Sequence, residues 1–172
     1  MAKDKQDEVL NIADELDVTI GQAAPGHCYS SFKTYNHSIG LSCTFRQPNA
    51  THSHCQYLHG YSLKVEIEFQ AAKLDDKNWV QDFGGLKSLK QWLEEHFDHK
   101  TLVAADDPKK VFFREMHNEG LIQLVIVPGV GIEAFARIIY EQAVIMFENS
   151  RVDVTRVRVW EHEGNSAQYG VI

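Results

Sequence analysis

The sequence predicts an α+β fold, an antiparallel sheet with two helices on one face. Three observations carry this. Ile39, Leu41, Cys43 and Phe45 alternate with polar Ser42 and Thr44, and Leu63, Val65, Ile67 and Phe69 alternate with Ser62, Lys64, Glu66 and Glu68. That is the period of strands with one buried and one wet face. Leu86, Leu89, Leu93 and Phe97, and later Phe135, Ile139, Ala143 and Phe147, recur at helical spacing instead. Third, the elements follow in the order β-β-α-(β)-α-β, which suits a sheet with segregated helices and leaves edges to be covered or paired between subunits.

The 172 residues, 44% hydrophobic and 24% charged, suit one compact domain. A formal charge of -7 argues against nucleic acid as the main partner. No apolar run approaches the roughly 20 residues that span a bilayer, so no membrane partner is expected. Three cysteines, Cys28, Cys43 and Cys55, cannot all pair, and the start of the chain has no secretory pattern. Free thiols in a reducing cytoplasm follow. Cys28 and Cys43 read equally well as small buried hydrophobes.

Taken in order, residues 1–20 form an acidic segment with Val9, Leu10, Ile12, Ala13 and Leu16 at roughly helical spacing, and residues 21–27 are a turn-rich connector. Residues 1–27 are thus an N-terminal acidic arm or helix, and residues 28–172 the folded domain. A strand is expected over Ser38–Phe45, broken by Pro48-Asn49-Ala50-Thr51. A second is expected from Tyr61 to Gln70, antiparallel to the first, with a sharp turn at Gly60. Glycines 84 and 85 precede the first helix, which Asp98-His99 closes. Residues 104–119 read as irregular with a short helix around Phe112–Met116, and Leu121–Val127 as a buried strand. Glu133 opens the second helix, and Val154–Glu161 is the last strand.

Reactive groups gather at element ends. The loop before the second strand crowds His52, His54, Cys55 and His59 into eight positions. Imidazoles bind Zn²⁺, whose catalytic sites take three protein ligands, but this spacing matches no closed zinc-finger pattern, and a hydrogen-bonded surface loop explains it equally well. Asp98 beside His99 could orient a general base or simply cap the helix. Glu161 shares the apolar face of Val157 and Val159, and an inward carboxylate needs partners such as a guanidine-like edge. Glu133 suits the positive end of a helix dipole.

In this order, Cys55-x-x-x-His59-Gly60, Val80-x-Asp82-Phe83-x-x-Leu86-Lys87, Asp98-His99, Glu133 and Glu161 before Tyr169 resemble the 6-pyruvoyl-tetrahydropterin synthase and 6-carboxytetrahydropterin synthase family over roughly residues 36–170. The resemblance implies a tunnelling fold with a four-stranded antiparallel sheet and two helices per subunit. It further implies sheets joined into a barrel by three subunits, a trimer or hexamer, and sites between subunits. It implies a pterin triphosphate substrate, 7,8-dihydroneopterin triphosphate. The expected product is 6-carboxy-5,6,7,8-tetrahydropterin, with acetaldehyde and triphosphate released, on the way to 7-deazaguanines such as queuosine. Carried over by position, Cys55 is the catalytic thiol, Asp98 and His99 its acid–base partners, Glu161 the pterin anchor, Glu133 a second substrate residue and His59 a zinc ligand.

Two of the family's three metal ligands are replaced, because Phe45 stands for the first-strand histidine and Tyr61 ends what is otherwise a His-Gly-His motif. Either Zn²⁺ is held by a rearranged set of His52, His54 and His59, with Cys43 a further candidate, or the site is metal-free. A metal-free pterin- or purine-binding homologue without turnover, and a pyruvoyl-forming lyase, are the alternative functions.

Overall fold

The chain is described from a computed structural model covering residues 20–171. The amphipathic stretch of the expected arm, up to residue 19, lies outside the described residues. In chain order the elements are β1 (Tyr29–Tyr35), β2 (Ser42–Phe45), β3 (His59–Ser62), β4 (Lys64–Ala71), α1 (Lys87–Phe97), β5 (Lys100–Ala104), α2 (Lys110–Asn118), β6 (Leu124–Val127), α3 (Ile132–Phe147), β7 (Asp153–His162) and β8 (Asn165–Gly170).

The expected four-stranded antiparallel sheet is present, in the order β1-β4-β7-β8. Its inner face is the alternation read in the sequence: Val65, Ile67 and Phe69 of β4 and Val157 and Val159 of β7 are all fully buried. They join one core with Leu89, Leu93 and Phe97 of α1 and Phe135, Ile139 and Ala143 of α3. Each Val, Leu, Ile or Phe side chain among them, fully removed from water, contributes about 1.5–3 kcal/mol.

The strands differ from the expectation in three respects. The predicted strand over Ser38–Phe45 starts only at Ser42, because a 3-10 turn (His37–Ile39) and left-handed Gly40 and Leu41 (φ 103° and 54°) precede it. Gly40 is needed there twice over, since a Cβ would also lie 3.0 Å from Oδ1 of Asp98. The predicted strand over Tyr61–Gln70 is two strands parted at Leu63, and β3 leaves for a second sheet. That sheet, β3-β2-β5-β6, is mixed: β2 pairs antiparallel with β3, but β2–β5 and β5–β6 are parallel. Gly60 does not make a turn. It pairs with Thr44 inside β3, where a Cβ would fall 2.6 Å from the carbonyl of Cys43, so only glycine permits this approach.

The stretch over 104–119 holds a longer helix, α2, than the one expected at Phe112–Met116. The run Leu121–Val127 supplies β6, an edge strand in which only Val127 is buried. No helix among the described residues is long and apolar enough to cross a membrane.

Candidate active site

The loop between β2 and β3 is fastened at both ends of the Cys55 turn. Gln47 N–H donates to the Cys55 carbonyl (2.8 Å), and Nη1 of Arg46 donates to the Gln56 carbonyl (3.4 Å). Arg46 is itself held as a fork by Asp107, Nε to Oδ2 at 2.9 Å and Nη2 to Oδ1 at 3.2 Å. Burial alone would raise the Asp107 pKa, but the bonds from Arg46 and from Lys109 N–H outweigh it and hold the carboxyl below its ordinary value. Within the loop, Ser53 Oγ accepts from Cys55 N–H (3.2 Å) and caps the short 3-10 turn His54–Gln56. The thiol is therefore carried on a braced turn, half-buried.

On β3, His59 and Tyr61 face the same way, and Phe45 is the cross-strand partner of His59. The three rings form a triangle with centroids 4.9 Å (Phe45–His59), 5.5 Å (His59–Tyr61) and 6.0 Å (Phe45–Tyr61) apart. His162, just past the irregularity in β7, lies 6.3 Å from Tyr61. Nδ1 of His59 is 2.8 Å from the Tyr57 carbonyl; an Nδ1–H donating there leaves Nε2 with its lone pair free. Burial pushes the Tyr61 phenol up from its ordinary pKa, and the neighbouring charges of Glu161 and Cys55 add to the shift.

Glu161 and Glu133 share a cleft of about 420 Å³, with Gln47, Asn165 and Ser166 also on its wall. Glu161 does not point into the apolar core as its alternation suggested. The register of β7 slips between Trp160 and His162, leaving Glu161 half-buried, with Asn165 Nδ2 donating to Oε2 at 3.5 Å. Glu133 lies in the first turn of α3, as expected.

Asp98 and His99 occupy another place. Asp98 caps the end of α1 and accepts from Ser42 N–H (3.1 Å), while His99 N–H donates to the Ser42 carbonyl (2.6 Å). His99 takes the left-handed backbone (φ 56°), a conformation that costs a non-glycine residue about 1–3 kcal/mol. Its Nδ1 sits 3.0 Å from Oδ1 of Asp98 while the side chain stays 78% exposed. This is an imidazole oriented by a carboxylate and open to a reacting group. It lines a separate cleft of about 680 Å³ with Thr44, Leu58, Lys100 and His117.

The expected site residues thus separate within one chain: Glu161 and Glu133 line one cleft, His99 with its Asp98 partner lines another, and Cys55 is carried on the loop between β2 and β3. His52 and His54 are exposed on the loop, and among the described residues no three His, Cys, Asp or Glu side chains converge as a metal-binding group. Cys43 is 2% exposed, and burial raises its pKa to about 12, so it stays a thiol and makes a poor ligand. The donor set brought together here does not fit a three-imidazole zinc centre. Reading from sequence missed Tyr61 as a site group in its own right, and missed His162, Gln47 and Asn165. A ring at the mouth of a strand and polar residues in a hairpin carry no signal that separates them from ordinary packing and turns.

A four-stranded antiparallel sheet backed by helices defines an α+β fold shared with solved pterin-synthase structures. An uncharacterised protein of Wolinella succinogenes superposes with a TM-score of 0.70 at 18% identity, over 84% of this chain and 99% of that one. The 6-pyruvoyltetrahydropterin synthase of Plasmodium vivax does so with a TM-score of 0.60 at 14% identity, over 83% and 97%. Residues 34–171 match the family model for 6-pyruvoyl tetrahydropterin synthase, and the chain belongs to that family. The 6-carboxy-5,6,7,8-tetrahydropterin synthase of Rickettsia conorii is 44% identical over 54 residues, 31% of this chain but only 39% of that relative. The enzyme of the same name from Aquifex aeolicus is 26% identical over 121 residues, 67% of this chain and 75% of the relative.

Proposed function

We propose that the protein binds 7,8-dihydroneopterin triphosphate in the Glu161–Glu133 cleft and converts it to 6-carboxy-5,6,7,8-tetrahydropterin, releasing acetaldehyde and triphosphate, in the cytoplasmic synthesis of 7-deazaguanines. The observation that carries the reading is that two carboxylates, Glu161 and Glu133, line one cleft with Asn165 and Gln47. A carboxylate suits the guanidine-like edge of a pterin, which offers two parallel donors. Cys55 and His99, the latter oriented by Asp98, move protons on the substrate side chain. His99 lies in a different cleft from Glu161 within one chain, so this chemistry takes the imidazole from a neighbouring subunit of a homo-oligomer, a trimer or hexamer. The curated relatives named for this product support the choice of reaction.

Zinc was the cofactor expected, through His52, His54 and His59. Phe45 and Tyr61 stand at two ligand positions of the resembled family, and neither phenylalanine nor tyrosine replaces an imidazole on zinc. The same observation favours a second reading, a pterin-binding homologue without turnover.

Incubation with the triphosphate and mass detection of products separates the two. Formation of the carboxypterin, abolished in Cys55→Ala while the oligomer persists, supports turnover. Tight binding without product supports the second reading, and wild-type rates in Cys55→Ala reject Cys55 as the essential thiol.

A further inference from the structure

Three imidazoles on one zinc ion hold their nitrogens about 2.0–2.1 Å from the metal, which sets their ring centroids about 5 Å apart. The Phe45, His59 and Tyr61 centroids, 4.9–6.0 Å apart, keep that spacing with one imidazole in place of three. The backbone frame is rigid: Phe45 pairs with His59 and Cys43 with Tyr61 across β2 and β3. Phe45 is 1% exposed and packs edge-on against Phe135 of α3 (5.1 Å, 90°), so the first ligand position has been absorbed into the hydrophobic core. The other two corners remain polar and unspent. The Tyr61 hydroxyl has no hydrogen-bond partner among the described residues, and His59 engages only through Nδ1.

We propose that this triangle is a metal-free subsite that reads a hydroxyl on the substrate side chain, with Tyr61 Oη donating a hydrogen bond and His59 Nε2 accepting one. A donor and an acceptor on neighbouring rings match an alcohol, which needs one of each. A phenol carries its proton at neutral pH and can donate it in a hydrogen bond. Where a metal would polarise a side-chain oxygen by charge, this pair recognises it by direction. A site built to hydrogen-bond a hydroxyl rejects a ligand without it, because its own polar groups are then left unpaired. The inference rests on the pterin reading but not on turnover.

Two measurements test it. After incubation with excess Zn²⁺ and extensive dialysis, elemental analysis should find no zinc at this site in the wild type. The Phe45→His/Tyr61→His double variant, with its three imidazoles restored, should retain about one zinc per chain. About one zinc per chain in the wild type that is lost in His59→Ala overturns the proposal. In calorimetric titrations with chelator present, the wild type should bind neopterin, which carries side-chain hydroxyls, at least tenfold tighter than 6-methylpterin, which carries none. Tyr61→Phe should lose that preference while still binding 6-methylpterin as the wild type does. Equal affinity of the wild type for the two pterins, or an unchanged preference in Tyr61→Phe, overturns the subsite alone. Failure of both pterins to bind overturns the pterin reading instead, and the zinc measurement then decides whether the triangle is metal-free.

Discussion

Cys43 on β2 and Cys55 on the loop that follows it have opposite surroundings. Cys43 is enclosed by the core and its pKa is pushed up to about 12 by burial, whereas Cys55 sits half-buried on a turn beside a phenol. The thiolate is the reactive form, so burial makes Cys43 inert. Iodoacetamide applied to the native protein at pH 8 should therefore label Cys28 and Cys55 and spare Cys43, which should react only after unfolding. Mass mapping of the labelled peptides checks this, and native labelling of Cys43 at the rate of exposed Cys28 would contradict it. The sequence made Cys55, Glu161 and Glu133 legible as candidate site residues because a thiol or carboxylate at an element end needs a reason. It left Tyr61 legible only as a missing ligand. The polar role of a phenol depends on which neighbours close around it, and Glu161 and Cys55 are distant in sequence from each other.

At the scale of elements, α1 and α3 follow their apolar periodicity, since Leu89, Leu93, Phe135 and Ile139 leave one face with no stable place but the core. β1 escaped notice for a physical reason. Its inward side carries Ser31 and Lys33, while Phe32 points outward, 46% exposed, on an edge strand. β8, Asn165–Gly170, has no β-branched residue, and β5 is a short run buried on both faces that shows no alternation. The parallel pairings of the second sheet are set by long-range packing, which no local pattern encodes. The Arg46–Asp107 fork ties β2 and the Cys55 turn to the segment leading into α2. The folded Asp107 carboxyl titrates below its unfolded value near 4, so the unfolded chain takes up the proton first as pH falls. Its stabilisation is complete above that value and is lost as pH drops through the folded pKa. Thermal melts should show Asp107→Asn less stable than the wild type at neutral pH, by about 3 kcal/mol for a broken buried pair. The gap should narrow below about pH 4. A gap that stays constant down to pH 2.5 would remove Asp107 from the acid response.

At the scale of the whole molecule, the antiparallel sheet has open edges at β1 and β8, and separate clefts hold the acid–base pair and the two carboxylates. Unpaired edges favour strand pairing with further copies, and a heterologous contact of this kind closes into rings. Light scattering coupled to size exclusion should give a mass three or six times the 19.6 kDa of the chain. A monomer at micromolar concentration would leave His99 unable to reach the Cys55 turn of a neighbour and would contradict a shared site. The account turns on Glu161 as the anchor for the heterocycle, and the most direct measurement is the affinity for 7,8-dihydroneopterin of the wild type against Glu161→Gln. The amide keeps the shape but loses the charge and one acceptor, and removing a charged partner from a hydrogen-bonded pair costs about 1.5–3 kcal/mol. The affinity of Glu161→Gln should fall tenfold or more with the fold and oligomer intact, and an unchanged affinity would contradict the account.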